Sequence, residues 1–126
     1  MKKIINTKKA PEAIGPYNQA ILSKNTLYCS GQIAINPSSG KLENANIKEE
    51  VKRIMSNITA ILNEANMDIK NIVKCTIFMK DMNHYKEINE IYSTYFTTEM
   101  PAREAVEVSK LPKNTNIEIS VIAVKE

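Results

Sequence analysis

The most pointed chemistry in this chain sits near its C-terminal end. Arg103 stands in "MPAREAVEV" (Met100–Val108), directly behind Pro101 and Ala102. Its guanidinium is a planar, permanently charged fork that matches a carboxylate, so a site that grips a small organic acid could be built on it. A structural ion pair with Glu104, Glu107 or Glu118 would use the same fork, and spacing leaves both uses open. Glu118 interrupts "NIEISVIAV", and a carboxylate among such apolar neighbours is either solvated at an edge or held for use.

Other polar residues speak less sharply. Tyr17 follows Gly15-Pro16, a rigid turn that aims its ring, although a loop aromatic closing the core is the plainer role. Ser30 and Gly31 could offer a ligand a hydroxyl and a close backbone N–H, but glycine in a strand also marks a bulge. Asn89 lies in an otherwise apolar helical face and needs partners if buried. His84 is the only imidazole, and no serine or cysteine is placed beside it, so it reads as a surface or capping residue. Cys29 and Cys75 are far apart and form no CxxC pair, which points to small buried hydrophobes and to no metal centre.

The elements that must position these residues follow from periodicity and turn chemistry. "KKIINT" is a short strand before a loop, "APEAIGPYNQA", in which Pro11, Gly15 and Pro16 exclude regular structure. "AILSKNTLYCSGQIAI" reads as a hairpin around Lys24-Asn25-Thr26, and "NPSSGK" ends it as a turn. A helix runs from about Ile47 to Asn66, with Asn46 as cap, Glu49 at the capping-box position, and Val51, Ile54, Met55, Ile58, Ile61, Leu62 and Ala65 on one face. "IVKCTIFMK" alternates as a strand with Val73, Cys75, Ile77 and Met79 inward, and Asp81 ends it. A second amphipathic helix, "MNHYKEINEIYSTYF", places Tyr85, Ile88, Ile91, Tyr92, Tyr95 and Phe96 on or near one face. "REAVEVSKL" and "NIEISVIAVKE" close the chain as strands. In the former, Val106 and Val108 share one face and Arg103, Ala105 and Glu107 the other.

The order is roughly βββαβαββ. The fold class this predicts is α+β: about six strands in one sheet with both helices on one face. The other face then needs cover, with Arg103, Glu107 and Glu118 on or near it, and a homo-oligomer that packs sheet faces together would supply that cover.

Length and composition agree with one soluble domain spanning 1–126: 126 residues, 43% hydrophobic and 25% charged. The net charge of +3 is spread along the chain, so no nucleic-acid footprint is forced. No apolar run suits a signal peptide or a membrane span, which places the protein in the cytoplasm as an expectation.

Taken together, "IGPYNQA" (14–20), "SGQI" (30–33), "VKCTIFMKDMNHYKEINEIY" (73–92), "PAREAVEV" (101–108) and "LPKNTNIEISVIAV" (111–124) resemble the RidA family, also called YjgF/YER057c/UK114. The likeness covers nearly the whole chain and keeps its order. It implies a chorismate-mutase-like fold and a homotrimer with active sites between subunits. It also implies an enzyme, without cofactor, that hydrolyses reactive enamines and imines such as 2-aminoacrylate to 2-oxo acids and ammonia, a form of metabolite damage control. By the same resemblance Arg103 binds the substrate carboxylate, Glu118 and the backbone carbonyl of Ala105 position the attacking water, and Tyr17, Ser30, Gly31 and Asn89 line the pocket. An imine carbon is already electrophilic, so such a site needs a held carboxylate, a placed water and a proton route. Family members described as ribonucleases or chaperone-like proteins make RNA binding the alternative, and a non-catalytic acid sensor a third reading. Two departures stand out: Glu104 directly after Arg103, where strand alternation should point it away, and Ser120 and Asn114 where an acid and a glycine are common.

Overall fold

The computed structural model describes residues 1–126. Six strands, β1 (Lys2–Ile5), β2 (Ala20–Ser23), β3 (Thr26–Gln32), β4 (Ile72–Met79), β5 (Ala102–Glu107) and β6 (Ile117–Val124), form one sheet in the order β1-β2-β3-β6-β4-β5. Two helices, α1 (Ile47–Glu64) and α2 (Tyr85–Tyr92), complete an α+β fold. All neighbouring strands are antiparallel except β4 and β5, which are parallel. The reason is connectivity: α2 carries the chain between them, and a helical crossover is what a parallel pair requires.

Local signals explain the elements. β2 and β3 meet through Lys24 and Asn25, since Ser23 pairs with Thr26, and Lys24 takes the left-handed conformation (φ 54°) that such a tight hairpin needs. Asn46 caps α1 by accepting from the Glu49 N–H at 2.9 Å. The helix ends where Asn66 turns left-handed (φ 58°). Its buried stripe runs through Val51, Ile54, Met55, Ile58, Ile61 and Leu62 and packs on β3, β6 and α2. Opposite it, β6 buries Ile117, Ile119, Val121 and Ala123 in strict alternation, and β4 buries Cys75, Ile77 and Met79.

Three sequence expectations need correction. Val73 was expected to point inward with Cys75, yet it is 46% exposed, because the register shifts between Ile72 and Lys74 and the inserted residue turns outward. The second helix is shorter than its apolar pattern. Asp81 accepts from the Asn83 N–H at 2.9 Å and caps a 3-10 turn, Met82–His84, so the α-helix proper covers only Tyr85–Tyr92. Most consequential, Arg103 and Glu107 do not lie on the open face of the sheet. The parallel register sets Arg103 beside Cys75, Ala105 beside Ile77 and Glu107 beside Met79, and those three β4 residues face the helices.

Glu118 does lie on the open face. It pairs with Phe78, three residues from Cys75 along β4, and an odd step along a strand reverses the face.

Candidate active site

The residues singled out by sequence gather into two groups, one on each side of the sheet. Arg103, Ala105 and Asn89 belong to the helix side. β5 is the edge strand there, and α2 sets Tyr85 and Tyr92 against Arg103. The Arg103 guanidinium carbon lies 5.0 Å from the Tyr92 ring centroid and 5.6 Å from that of Tyr85. Its Nη2 donates to the Tyr85 hydroxyl at 2.8 Å. None of the ion pairs in the chain involves Arg103. Glu104, the neighbour that threatened to neutralise it, points to the opposite face and pairs with Lys74 at 3.3 Å. The result is a fixed but uncompensated cation at an open pocket of about 450 Å³ lined by Met82, Tyr85, Arg103 and Ala105.

Tyr17, Ser30, Gly31 and Glu118 make the second group. β3 pairs Cys29 with Val121 but Gln32 with Ile119, so a bulge falls at Ser30 and Gly31. The Glu118 side chain fills the room this creates: a Cβ on Gly31 would stand 2.7 Å from its carboxyl carbon. Ser30 donates its hydroxyl to the Asn18 carbonyl at 2.7 Å and its N–H to the Gln19 carbonyl at 2.9 Å, which ties the loop carrying Tyr17 to the strand. Tyr17 is 53% exposed at the mouth of a cavity of about 290 Å³ whose walls include Gly31, Gln32, Lys113 and Glu118. Partial burial raises the Glu118 carboxyl above its ordinary range, with no cation paired to bring it back.

Two supports escaped sequence reasoning. Gln19 is buried, accepts the Thr7 N–H at 2.7 Å, and donates to the carbonyls of Thr7 and Pro11 at 3.0 and 2.8 Å, so one amide shapes the whole 7–19 loop. Glu50 is wholly buried in the first turn of α1. It accepts from the backbone N–H groups of Asn116 and Ile117 at 2.9 and 3.1 Å and from Asn116 Nδ2 at 2.8 Å, fixing the strand start just before Glu118. The signal for Glu50 was its phase, one residue before Val51 on the apolar side of the helix. The cysteines are packing residues: burial pushes the Cys29 thiol up to about 12 and raises Cys75 as well, so neither is a poised nucleophile. His84 is half-buried in the turn before α2 and belongs to neither group.

The site therefore offers an unpaired guanidinium on one face of the sheet and a partly buried carboxylate on the other. A family model described as Endoribonuclease L-PSP matches residues 7–125. A RutC family protein of Pyrococcus abyssi is 49% identical over 125 residues, 99% of this chain and 98% of that protein. The mouse 2-iminobutanoate/2-iminopropanoate deaminase is 46% identical over 125 residues, 99% of this chain and 93% of its own length. The crystal structure of E. coli TdcF with bound serine superposes with a TM-score of 0.94 at 36% identity, covering 98% of this chain and 99% of that one. The chain belongs to the RidA family, also called YjgF.

Proposed function

We propose that this protein is a 2-iminobutanoate/2-iminopropanoate deaminase that hydrolyses imines of amino-acid origin to 2-oxo acids and ammonia. The observation that carries the reading is the unpaired, anchored Arg103 guanidinium at an open pocket. The relatives named as deaminases and the serine-bound neighbour agree with a ligand of amino-acid size that bears a carboxylate.

One chain does not suffice for this chemistry. Arg103 and Glu118 are on opposite faces of the sheet, so the complete site forms between copies, with the Arg103 group of one meeting the Glu118 group of the next. A homotrimer is the assembly that serves this. The open face, where Tyr28, Phe78 and Ile122 sit among Lys74, Thr76 and Ser120, is then the surface that packs.

The steps follow from the groups. Arg103 receives the substrate carboxylate as a charge-assisted fork, and Tyr17, Ser30, Gly31 and Asn89 enclose the rest. Glu118, with the Ala105 carbonyl, holds a water against the imine carbon and takes its proton as the C–O bond forms. From the protonated imine this gives a neutral carbinolamine. The proton then passes to its nitrogen, and as the C–N bond breaks the hydroxyl gives its proton to Glu118 and becomes the 2-oxo carbonyl, so ammonia leaves with the 2-oxo acid remaining. A lysine at position 103 would lack the fork. No covalent intermediate is needed, because the imine is already electrophilic.

The test couples a threonine dehydratase to the purified protein and follows the decay of 2-iminobutanoate. Wild type accelerates it and Arg103→Ala does not; absence of acceleration by wild type sinks the reading. The description of the family model brings ribonuclease activity into view as the second reading. It would be revived by a salt-sensitive RNA affinity that survives Arg103→Ala.

A further inference from the structure

Arg103 makes one side-chain hydrogen bond in the chain, and it is to Tyr85. We propose that Tyr85 is a positioning residue for carboxylate recognition: its hydroxyl anchors one terminal nitrogen of Arg103, so that the rest of the fork faces the pocket ready for the substrate acid.

The geometry supports this in three ways. An arginine side chain has several rotatable bonds and loses affinity if it must be ordered on binding. Here Tyr92 lies beneath the guanidinium and Tyr85 holds its end, which removes that freedom beforehand. The anchor is also neutral. A carboxylate at the same place would fix the fork equally well but would cancel the charge that the substrate needs. Finally, Tyr85 lines the same pocket as Arg103 and Ala105, and it is 37% exposed, so its hydroxyl sits where the ligand arrives. Because that oxygen accepts from Arg103, its own hydrogen remains available to a further acceptor.

The groups that face the hydroxyl are Asn89, one turn on along α2, and Arg103 from β5; Glu107, also on β5, is engaged by the Met82 N–H at 2.8 Å. Asn89 and then Arg103 hold the Tyr85 phenol below its usual ionisation range. Sequence reading took Tyr85 as part of an apolar stripe, and nothing in its spacing marks the hydroxyl as used.

The role rests on the deaminase reading for its kinetic arm, whereas direct binding of 2-oxobutanoate tests it without turnover. Tyr85→Phe is expected to raise KM and the Kd for 2-oxobutanoate about fivefold to tenfold, the scale of one ordinary net hydrogen bond, with kcat within about twofold of wild type. Tyr85→Glu, which sets a carboxylate on Arg103, is expected to abolish 2-oxobutanoate binding while the protein stays folded. In wild type, saturating 2-oxobutanoate should move the earliest-titrating phenol to higher pH, because the bound carboxylate offsets the Arg103 charge, and Tyr85→Phe should lack that phenol. Unchanged KM and Kd in Tyr85→Phe, or a loss confined to kcat or melting temperature, overturns the proposal. If wild type binds 2-oxobutanoate through Arg103 and Tyr85 but hydrolyses no imine, the deaminase reading fails and the positioning role stands.

Discussion

The carboxyl of Glu118 occupies the space that a side chain on Gly31 would need: a Cβ there would stand 2.7 Å from Glu118 Cδ and 2.8 Å from Oε2. Real Cβ atoms do not approach so closely, so Gly31→Ala must displace the carboxyl. The expected result is a fall in kcat of about tenfold or more, with a small change in melting temperature, since Gly31 is exposed and lies outside the core. A variant with wild-type kcat would show that the carboxyl position does not matter to the reaction.

Glu118 also sets a pH dependence. Desolvation raises its carboxyl above the ordinary range, which means the ionised form is disfavoured in the fold. Activity that needs the carboxylate should decline as pH falls, with the midpoint above that of a free glutamate. The stability effect has the opposite sense. Below the ordinary carboxylate range the group is protonated in both states and costs nothing. As pH rises through that range the unfolded chain ionises first, and the cost is complete above the folded value. Glu118→Gln should therefore melt higher than wild type at neutral pH, with the gain vanishing in acid. Equal melting temperatures at all pH values would show that the group is solvated.

Glu50 offers a test of how the strand beneath Glu118 is held. Glu50→Ala strips acceptors from the partly buried N–H of Asn116 and the buried N–H of Ile117, and each unpaired donor costs about 1–3 kcal/mol, so denaturant unfolding should report a loss of about 2–6 kcal/mol. Glu50→Gln should cost far less. Its remaining oxygen can keep both backbone bonds, and Asn116 can turn its amide to meet the new NH₂ group.

How much of this was legible in the sequence depends on range. The hairpin at Lys24-Asn25, the Asn46 cap and the stripe from Val51 to Leu62 are written within a few residues of themselves, and the sequence reading contains each of them. The side of the sheet on which Arg103 lies is not local. It depends on the parallel pairing of β5 with β4, a register fixed by a crossover helix rather than by the alternation of "REAVEV". Val73 failed for a related reason, since one inserted residue reverses the parity of what precedes it. Glu104 was read correctly as turned away from Arg103, because that is parity within one strand. The hydrogen bond of the Tyr85 hydroxyl with Arg103 was not legible either, as helical spacing sees the ring and not its oxygen.

The strongest consequence of the split geometry concerns mixtures of chains. Arg103 and Glu118 of one chain face away from each other across the sheet, so a site that uses both takes each from a different copy. Arg103→Ala and Glu118→Gln proteins should each be inactive alone. Unfolded together in equal amounts and refolded, they should regain activity, because some junctions will combine an intact Arg103 with an intact Glu118. Random assembly makes that fraction the product of one half and one half, so about one quarter of the wild-type rate is expected. Refolding either variant by itself should restore nothing. Recovery near zero in a mixture shown to contain mixed oligomers would mean that both residues act from the same chain, which the strand parity forbids without a rearranged sheet.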